Sequence, residues 1–294
     1  MYRIVRKERL ADNIYLMDVE AKRVAKSCHP GQFVIVRIDE KGERIPLTIC
    51  DYDRKEGRIT IVFQTVGAST KMMAELKEGD SFRDFTGPLG CPSELTTMTE
   101  EDLKSRKILF VAGGVGTAPV YPQVKWLNEH GVKADCIIGA RSGNLIILEE
   151  QMRQEAANVY ITTDDGSRGF KGNVNDKIKE LIENEHKTYD LVIAIGPLIM
   201  MKFVSILTKS YHIPTIVSMN PIMVDGTGMC GACRLSVGGK IKFACVDGPE
   251  FDGHLVDFDQ AMKRQQMYMT EEGRAKLRKI EGDSFQGGCN LCNE

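Results

Sequence analysis

The first part of the chain alternates between short β-rich runs and glycine-containing turns. The runs are "NIYLMDVEA", "QFVIVRI", "RIPLTICDY" and "RITIVFQTV". The glycines that separate or flank them are Gly31, Gly42, Gly57, Gly67 and Gly79. Short strands at near-regular spacing with turn residues between them are typical of a small antiparallel barrel. The pattern of residues 1–91 therefore predicts a β-barrel.

The hydrophobic pattern changes after a polar stretch, "PSELTTMTEEDLKSRK", which is either a linker or a helix at a domain boundary. Continuous apolar runs follow at 108–114, 134–140, 158–165 and 190–196, and helical segments lie between them, the first over about 118–130. Strands that alternate with helices predict a doubly wound parallel sheet. The second half of the predicted fold is therefore an α/β domain.

The remainder of the chain is different again. Residues 220–253 are rich in glycine and contain three cysteines, and the last forty residues include one charged helical stretch, "TEEGRAKLRKIEGD". We therefore divide the chain into a barrel at 1–98, an α/β domain at 99–219, a cysteine-containing segment at 220–255 and a helical tail at 256–294.

Composition and charge exclude some function classes. The chain has 294 residues, of which 42% are hydrophobic, and a net charge of −2, so no excess of charge favours nucleic acid or an anionic membrane. The N-terminus lacks the uninterrupted apolar stretch of a secretory signal. The most apolar stretch, 191–207, contains Gly196, Pro197 and Lys202, and a bilayer span needs about 20 apolar residues. We expect a buried strand leading into a helix there, and a cytoplasmic protein.

The nine cysteines are more informative than the charge. Five of them fall into two groups, which in a reducing compartment favours metal binding over disulfides. The scattered ones, Cys28, Cys50, Cys91 and Cys136, are expected to be small buried hydrophobic residues. Cys289 and Cys292 end the chain with no second pair nearby; a frayed tail is expected there, and a shared metal site or a redox pair is the alternative.

The cysteine-containing segment has the spacing Asp225-x4-Cys230-x2-Cys233-x11-Cys245. Plant-type [2Fe–2S] proteins use Cys-x4-Cys-x2-Cys and a distant cysteine, so the match is complete except for aspartate in the first place. Surrounding glycines permit the positive φ angles with which a loop wraps a cluster. A structural zinc site is the alternative, although only one Cys-x2-Cys pair is present. Asp225 could also be a turn residue, with the fourth ligand coming from elsewhere.

A glycine-rich turn, "FVAGGVGTAPV", joins the first predicted strand of the α/β domain to a helix. Gly113, Gly114 and Gly116 lie where a pyrophosphate binds at a helix N-terminus. The turn departs from G-x-G-x-x-G, because Ala118 and Pro119 replace the last part, and a βα turn without a ligand is the alternative.

Other predicted strands of this domain also end in polar or glycine-rich stretches. "GAR" ends in Arg141, "TDDGSRGFKG" contains Asp164 and Asp165, and "GPLIMM" contains Gly196, Pro197 and Met200. Ligands of open α/β sheets bind at the carboxyl ends of the strands. The acidic pair suits a ribose hydroxyl better than a 2′-phosphate, which favours NAD over NADP; a solvated turn is the alternative.

Two stretches of the barrel have an unusual side-chain set. "RIPLT" (44–48) places a cation, a proline and a hydroxyl on one strand, and "VGAST" (66–70) offers small residues and two hydroxyls. Either stretch alone would be ordinary strand-and-turn chemistry.

Taken in order, these stretches resemble one known family. "RIPLT", "VGAST", "GPLG" (87–90), "AGGVGTAP", "GP..MM" and the cysteine loop are similar to those of the ferredoxin–NADP reductase-like electron-transfer subunits. One branch serves B-type dihydroorotate dehydrogenase. The other is the small subunit of NADH-dependent reduced ferredoxin:NADP oxidoreductase (the Nfn type, also called sulfide dehydrogenase). The resemblance covers roughly residues 1–255. In the first branch the first cluster ligand is normally cysteine, so Asp225 favours the second.

The resemblance implies the cofactors and their sites. It implies FAD on the barrel and NAD(H) on the α/β domain, with a [2Fe–2S] cluster held by Asp225, Cys230, Cys233 and Cys245. The residues implied for FAD are Arg44, Ile45, Pro46, Leu47, Thr48, Val62, Gln64, Gly67, Ser69 and Thr70. Those implied for NAD(H) are Gly113, Gly114, Gly116, Thr117, Ala118, Pro119, Arg141, Asp164, Asp165, Gly196, Pro197 and Met200.

The implied activity is electron transfer in an electron-bifurcating complex. Electrons would pass between NAD(H), FAD and the cluster to a larger partner subunit, a heterodimer in which the partner carries another FAD and [4Fe–4S] clusters. Ferredoxin would react through that partner. No catalytic side chain is expected, because hydride transfer to a flavin needs no general base. The alternatives are a subunit of dihydroorotate dehydrogenase and, from another class, a zinc-bearing interaction module on the same fold.

Overall fold

The computed structural model describes residues 1–271, 273 and 274. Cys289 and Cys292 lie outside the described residues, as does most of the charged helical stretch predicted from Thr270 onwards. Among residues 1–271, no helix is both long and apolar enough to cross a membrane.

The N-terminal sheet has seven antiparallel strands and curls on itself. The strands are β1 (Tyr2–Ala11), β2 (Ile14–Glu20), β3 (Phe33–Arg37), β4 (Ile45–Asp53), β5 (Arg58–Gln64), β6 (Ser81–Phe82) and β7 (Asp84–Leu89). Two helices, α1 (Lys22–Ser27) and α2 (Ala68–Glu75), interrupt them. The order is β6-β1-β2-β5-β4-β3-β7, and only Arg83 separates the two end strands along the chain. The predicted barrel is confirmed as a nearly closed sheet.

The second sheet has six parallel strands and one antiparallel edge strand, and helices cover both of its faces. Its strands include β8 (Ile108–Gly113), β9 (Asp135–Ala140), β10 (Asn158–Thr163), β11 (Phe170–Lys171), β12 (Leu191–Ile195) and β13 (Thr215–Ser218). Helix α3 (Glu100–Ser105) precedes the first of these strands, and α4 (Thr117–Glu129), α5 (Glu149–Glu155), α6 (Val174–Lys179) and α7 (Leu198–Ser210) lie between them. The strand order β11-β10-β9-β8-β12-β13 confirms the doubly wound α/β fold.

The apolar runs of the central strands follow from burial on two sides. Ile108 and Phe110 of β8 pack with α3, α4 and α5. Leu109 and Val111 point the other way, toward α6 and α7. Side chains of a strand alternate between the faces of a sheet, so a strand that is buried on both faces must be apolar throughout. This is why the run at 108–114 predicted the strand correctly.

Helix α4 begins directly after the glycine-rich turn. Thr117 is its first residue and Pro119 lies in its first turn, where a missing backbone N–H breaks no intrahelical bond. The helix ends two residues before Gly131, which has a φ of +76°. Ala118–Pro119 therefore permits the βα turn, and the helix predicted at about 118–130 is confirmed.

The cysteine-containing segment packs into the α/β core. It forms a hairpin of β14 (Arg234–Val237) and β15 (Lys240–Phe243), then the short helix α8 (Ala244–Asp247) and strand β16 (Glu250–Asp252), and helix α9 (Phe258–Gln265) follows it. Strand β16 pairs antiparallel with β13 at the sheet edge. Cys233 and Cys245 belong to the same hydrophobic core as α6, α7 and α9. The segment is thus anchored to the sheet, while the division at residues 219 and 255 stays a prediction.

Three of the four scattered cysteines are buried as predicted, namely Cys28, Cys50 and Cys136. The prediction is wrong for Cys91, which is exposed. Its backbone N–H donates to the Gly248 carbonyl at 2.6 Å, and its thiol lies 3.2 Å from the Val246 carbonyl oxygen. Cys91 follows the last barrel strand and contacts the segment just after Cys245, so the residue joins two parts of the chain that are distant in sequence.

Candidate functional site

The predicted nucleotide residues lie along one edge of the parallel sheet. The carboxyl ends of β8, β9, β10 and β12 meet there, because these neighbouring strands are all parallel. The residues that follow these ends are Gly113–Pro119, Arg141, Asp164–Asp165 and Gly196–Met200. The structure therefore brings all four predicted stretches together at the edge where such sheets bind ligands.

Two glycine-containing loops of this edge pack against each other. A Cβ atom on Gly116 would lie 2.7 Å from the Ile195 carbonyl carbon, and one on Gly113 would lie 3.0 Å from Pro197 Cδ. A Cβ atom on Gly196 would lie 3.1 Å from the Gly113 Cα. Gly116 therefore needs to be glycine, because its Cβ atom would overlap backbone, whereas a Cβ atom on Gly113 or Gly196 would crowd its neighbours. Gly114, by contrast, has a φ of +56° and faces open space, which suits the approach of a phosphate to the backbone.

The acidic pair after β10 is held in a turn. Asp165 Oδ1 accepts hydrogen bonds from the Ser167 hydroxyl at 2.6 Å and from the Ser167 N–H at 2.9 Å. These bonds hold the pKa of Asp165 below its usual range. Asp164 and Arg141 are exposed at the same edge. The turn keeps Asp165 ionised, and the ribose role of the pair stays a prediction.

The nucleotide edge is in contact with the barrel. Ala118, at the start of α4, shares a group of buried apolar residues with Leu16 and Val62 of the barrel. Lys125 of α4 donates to Asp51 of β4, with Nζ–Oδ1 and Nζ–Oδ2 distances of 2.8 and 3.0 Å. The residues predicted for NAD(H) therefore begin directly beside those predicted for FAD.

The predicted FAD residues lie on half-buried strand and helix-start positions. Ile45, Pro46, Leu47 and Thr48 open strand β4 and pair with β3, and all four are half-buried. The four β4 side chains are neither fully packed nor fully solvated, which fits a surface that a flat apolar ring covers. Of the two predicted residues on β5, Gln64 is exposed and Val62 is buried.

The start of α2 supplies the second part of the predicted FAD site. Thr70 Oγ1 accepts from the N–H groups of Val66 and Gly67, each at 3.0 Å, and Ser69 donates to Glu43. Nothing lies within 4 Å of a Cβ atom placed on Gly67, and Val66 is 65% exposed. The N–H groups of a first helical turn favour an anion. The open space and the exposed apolar side chain fit a flavin nucleotide.

Arg44 makes a contact that its position in the sequence does not suggest. Its Nε donates to the Val224 carbonyl at 2.6 Å, and Nη2 lies 3.4 Å from the Asp225 carbonyl oxygen. The cation predicted for FAD phosphate thus holds the backbone of the cysteine loop. It links the opening of β4 to the predicted first ligand of the cluster.

Asp225 lies in a turn at the start of the cysteine loop. Its Oδ2 accepts from the Thr227 N–H at 3.0 Å and from the Thr227 hydroxyl. The Thr227 hydroxyl and N–H hold the pKa of Asp225 below its usual range. The result is an ionised, half-buried carboxylate, which suits a ligand of iron as well as the turn.

Two of the three cysteines predicted as cluster ligands have their sulfur atoms in contact. Cys233 and Cys245 are buried free thiols with their Sγ atoms 3.2 Å apart. Burial and the Cys233 thiol raise the pKa of Cys245 to about 12. Cys230 is exposed, and the Ala232 N–H, followed by the Asp225 N–H, lowers the pKa of its thiol. Backbone N–H groups therefore already face the sulfur of Cys230.

The donor set fits a two-iron cluster. Among residues 1–271, no group of three or more His, Cys, Asp or Glu side chains is placed to hold a single metal ion. In a [2Fe–2S] cluster each iron takes two protein ligands, and Cys233 with Cys245 forms one such pair. Positive φ angles at Gly226, Gly228 and Gly231 shape the loop around these donors. Asp225 and Cys230 would supply the second pair.

The loop lies directly on the barrel. A Cβ atom on Gly226 would lie 2.6 Å from Ile35 Cδ1 and 2.8 Å from Leu89 Cδ1, so the backbone packs tightly on β3 and β7. From the other side, Arg264 of α9 donates from Nη2 to the Ala232 carbonyl at 3.1 Å. The contact of Arg264 was not predicted, because no local signal links helix α9 to the cysteine loop.

Two known family domains match the parts of the chain that contain the predicted cluster and nucleotide sites. Residues 220–257 match the iron–sulfur cluster binding domain of dihydroorotate dehydrogenase B. Residues 110–205 match the oxidoreductase NAD-binding domain. The first range contains the predicted cluster ligands, and the second contains the glycine-rich turn.

Similar proteins cover nearly the whole chain. It is 44% identical over 269 residues to the dihydroorotate dehydrogenase B (NAD(+)) electron transfer subunit homolog of Thermotoga maritima, covering 92% of each chain. It is 61% identical over 290 residues to an uncharacterized protein of the adh 3′ region of Clostridium beijerinckii, covering 98% of each.

One solved structure is similar to this chain in both sequence and fold. It is that of NADH-dependent reduced ferredoxin-NADP oxidoreductase, studied for flavin-based electron bifurcation. One of its chains is 42% identical, has a TM-score of 0.87, and is matched over 95% of this chain and 98% of its own length. The chain therefore belongs to the ferredoxin–NADP reductase-like electron-transfer subunits, the family of NAD(H)-linked iron–sulfur flavoproteins that was predicted from its motifs.

Proposed function

We propose that the chain is the electron-transfer subunit of an electron-bifurcating NADH-dependent ferredoxin:NADP oxidoreductase. The observation that carries the proposal is the convergence of three predicted sites on the barrel. Ala118 joins the nucleotide edge to Val62, Arg44 joins β4 to the Val224 carbonyl, and Gly226 packs on Ile35. A nucleotide site and a cluster loop that both contact the barrel predicted to hold FAD are the arrangement that electron transfer through a flavin needs.

The cofactors differ in the number of electrons that they exchange. NAD(H) exchanges two electrons as hydride, a [2Fe–2S] cluster exchanges one, and FAD can do both. The chain's residues bind and orient. Gly113, Gly116 and Gly196 hold the two nucleotide loops in contact, and β4 offers a half-buried surface to a flat ring. No side chain is assigned a proton-transfer role in the reaction.

A partner subunit is expected at the exposed face of the cysteine loop. Cys230 is exposed, and three apolar side chains of the loop or beside it are also exposed: Val224 by 46%, Met229 by 88% and Val246, next to Gly228, by 43%. Apolar side chains exposed together mark an interaction surface. We propose that the larger subunit, with its own FAD and [4Fe–4S] clusters, binds here and passes electrons to ferredoxin.

The seven cysteines in the described part of the chain are free thiols. This supports the further proposal that the protein works in the reducing environment of the cytoplasm.

Dihydroorotate dehydrogenase B is the second candidate complex, and the matched family and the Thermotoga relative are both described by that name. The two complexes would use the same cofactors on this chain and differ in the companion chain. Asp225 in place of a first cysteine is the feature that favours the oxidoreductase.

Purification of the native complex tests the proposal. We expect a larger companion chain, flavin in both chains, and NADH-driven reduction of NADP with reduced ferredoxin as co-substrate. A companion that oxidises dihydroorotate would establish the second candidate instead. Colourless protein that contains zinc, with no flavin or iron–sulfur absorption, would leave only the interaction-module alternative.

A further inference from the structure

A half-buried carboxyl group lies where three parts of the chain meet. Glu250 is on β16, Gln123 is on α4, and Ser93 follows the last barrel strand. The Ser93 hydroxyl lies 2.9 Å from Glu250 Oε2 and 3.1 Å from Gln123 Oε1, and Gln123 Nε2 lies 2.7 Å from Glu250 Oε1. The three side chains form a closed ring of contacts, in which Ser93 is 0% and Gln123 is 1% exposed.

The number of hydrogens in this ring decides the protonation state of Glu250. An ionised carboxylate only accepts, and a hydroxyl donates one hydrogen. If Glu250 is ionised, the single hydrogen of the Ser93 hydroxyl can be donated to Glu250 Oε2 or to Gln123 Oε1, but not to both. One of the three contacts would bring two oxygens together without a hydrogen.

The orientation of the Gln123 amide does not change this count. If its nitrogen and oxygen exchange places, the amide donates to Ser93 and Ser93 donates to Glu250. The amide oxygen then faces Glu250 Oε1 with no hydrogen between them. A hydrogen on the Glu250 carboxyl completes the ring in either orientation, and buried polar groups are rarely left without a partner.

We infer that Glu250 is a neutral carboxylic acid, whose proton closes the ring with Ser93 and Gln123 and fixes the segment after Cys245 to helix α4 and to the barrel. Glu250 is thus a positioning residue for the cysteine loop. Its neighbour Pro249 accepts from the Met219 N–H at 2.8 Å, and the Gly248 carbonyl accepts from the Cys91 N–H. The ring is the side-chain part of the same anchor.

The charges around the ring agree with a neutral acid. Glu94 faces the carboxyl with its carboxylate, which raises the pKa, and with its backbone N–H, which lowers it. On α4, Lys125 is paired with Asp51, and on β16, Asp252 accepts from the His254 N–H. Strand β13 places the uncharged Ser218 opposite Glu250. Among residues 1–271, no cation forms an ion pair with Glu250.

The pH dependence has a definite sign. Burial raises the pKa of Glu250 above its usual value, with Ser93 and Gln123 opposing part of the rise. The folded chain therefore binds this proton more tightly than the unfolded chain. The stabilisation is complete below the ordinary glutamate pKa and is lost as pH rises through the higher folded-state pKa.

The Glu250→Gln variant tests the inference on the holoprotein. A neutral amide can donate to Ser93 and accept from Gln123, so it keeps the ring at every pH. We expect the melting temperature of the variant to exceed that of the wild type increasingly as pH rises, and the difference to close at acid pH. The matched control is Glu94→Gln, which removes an exposed neighbouring charge without touching the ring.

Infrared spectroscopy reads the proton directly. At neutral pH the wild type should show the carbonyl band of a protonated carboxylic acid; this band should be absent in Glu250→Gln and shifted in Ser93→Ala. Identical spectra in the wild type and both variants, or a stability difference that does not vary with pH, would overturn the inference. If Glu250→Gln does not fold, the Ser93→Ala shift decides alone. These readouts report protonation and folding, so they stand whether or not the proposed function holds.

Discussion

Arg44 Nε donates a hydrogen bond of 2.6 Å to the backbone carbonyl of Val224, a residue 180 positions further along the chain. The bond joins the strand predicted to hold a flavin to the residue before the first predicted cluster ligand. Because the acceptor is backbone, the contact orients the loop itself. The proposed flavin and cluster sites are therefore parts of one connected structure.

Arg44→Gln is expected to loosen the cysteine loop without unfolding the protein. The hydrogen bond that is lost contributes about 1 kcal/mol to the stability of the folded loop, so iron should dissociate about fivefold faster. If Arg44 also reaches an FAD phosphate, flavin retention should fall as well. Iron and flavin content after gel filtration measure both effects.

Arg54→Gln is the matched control. Arg54 also donates to a backbone carbonyl, that of Cys28 at 2.8 Å, but within the barrel. Iron retention in Arg44→Gln equal to that of Arg54→Gln would show that the Val224 contact does not hold the loop.

Replacement of any cluster cysteine should remove the cluster and leave FAD bound. Cys230→Ser, Cys233→Ser and Cys245→Ser each take away a thiolate, while the flavin residues lie on other segments. Cys91→Ser is the control, because Cys91 is exposed beside the same loop and a hydroxyl can keep its contact with the Val246 carbonyl. Iron analysis and flavin absorption of each variant give the result; three fully loaded variants would refute the ligand assignment.

Gly116→Ala should part the two nucleotide loops. Its Cβ atom would lie 2.7 Å from the Ile195 carbonyl carbon, and such overpacking costs about 1–3 kcal/mol. We expect weaker NADH binding and lower stability to urea. Gly273→Ala, at a described position outside every predicted cofactor site where nothing lies within 4 Å of the added Cβ atom, should leave NADH affinity near wild type. Wild-type NADH affinity in Gly116→Ala would remove this turn from the nucleotide site.

Local patterns predicted much of the fold. The β-rich runs predicted β2 to β5, and the apolar run at 108–114 followed by a glycine turn predicted β8 and α4. In each case the signal is contained within about a dozen residues, because alternation and turn chemistry are local properties. The same locality explains why the four nucleotide stretches could be assigned to one sheet edge.

Contacts between distant segments were not predictable in this way. Nothing near Glu250 indicates that Ser93 and Gln123 will contact it, and nothing near Cys91 indicates that its thiol will contact the Val246 carbonyl. Short strands such as β16 carry too few residues for a period to show. These features depend on how the barrel, the α/β sheet and the cysteine segment pack, which a single sequence does not display.

Asp225 variants test which branch of the family the chain follows. If Asp225 is a ligand, Asp225→Cys should keep the cluster but change its potential, because a soft thiolate replaces a hard carboxylate. Asp225→Ala should make the cluster labile. If Asp225 is only a turn residue bonded to Thr227, Asp225→Asn should be silent, since asparagine forms the same turn. Redox titration followed by electron paramagnetic resonance separates the two; unchanged potential and iron retention in all three variants would exclude ligation.

The most direct test of the whole account is an anaerobic titration of the purified holoprotein with NADH. Flavin absorption and the paramagnetic signal of the cluster are followed together in the wild type and in Cys233→Ser. If electrons pass from NADH through FAD to the cluster, NADH should bleach the flavin in both proteins, and a reduced [2Fe–2S] signal should develop in the wild type alone. A flavin that bleaches while the wild-type cluster stays oxidised, even with excess NADH, would contradict electron transfer from NADH to the cluster through this chain.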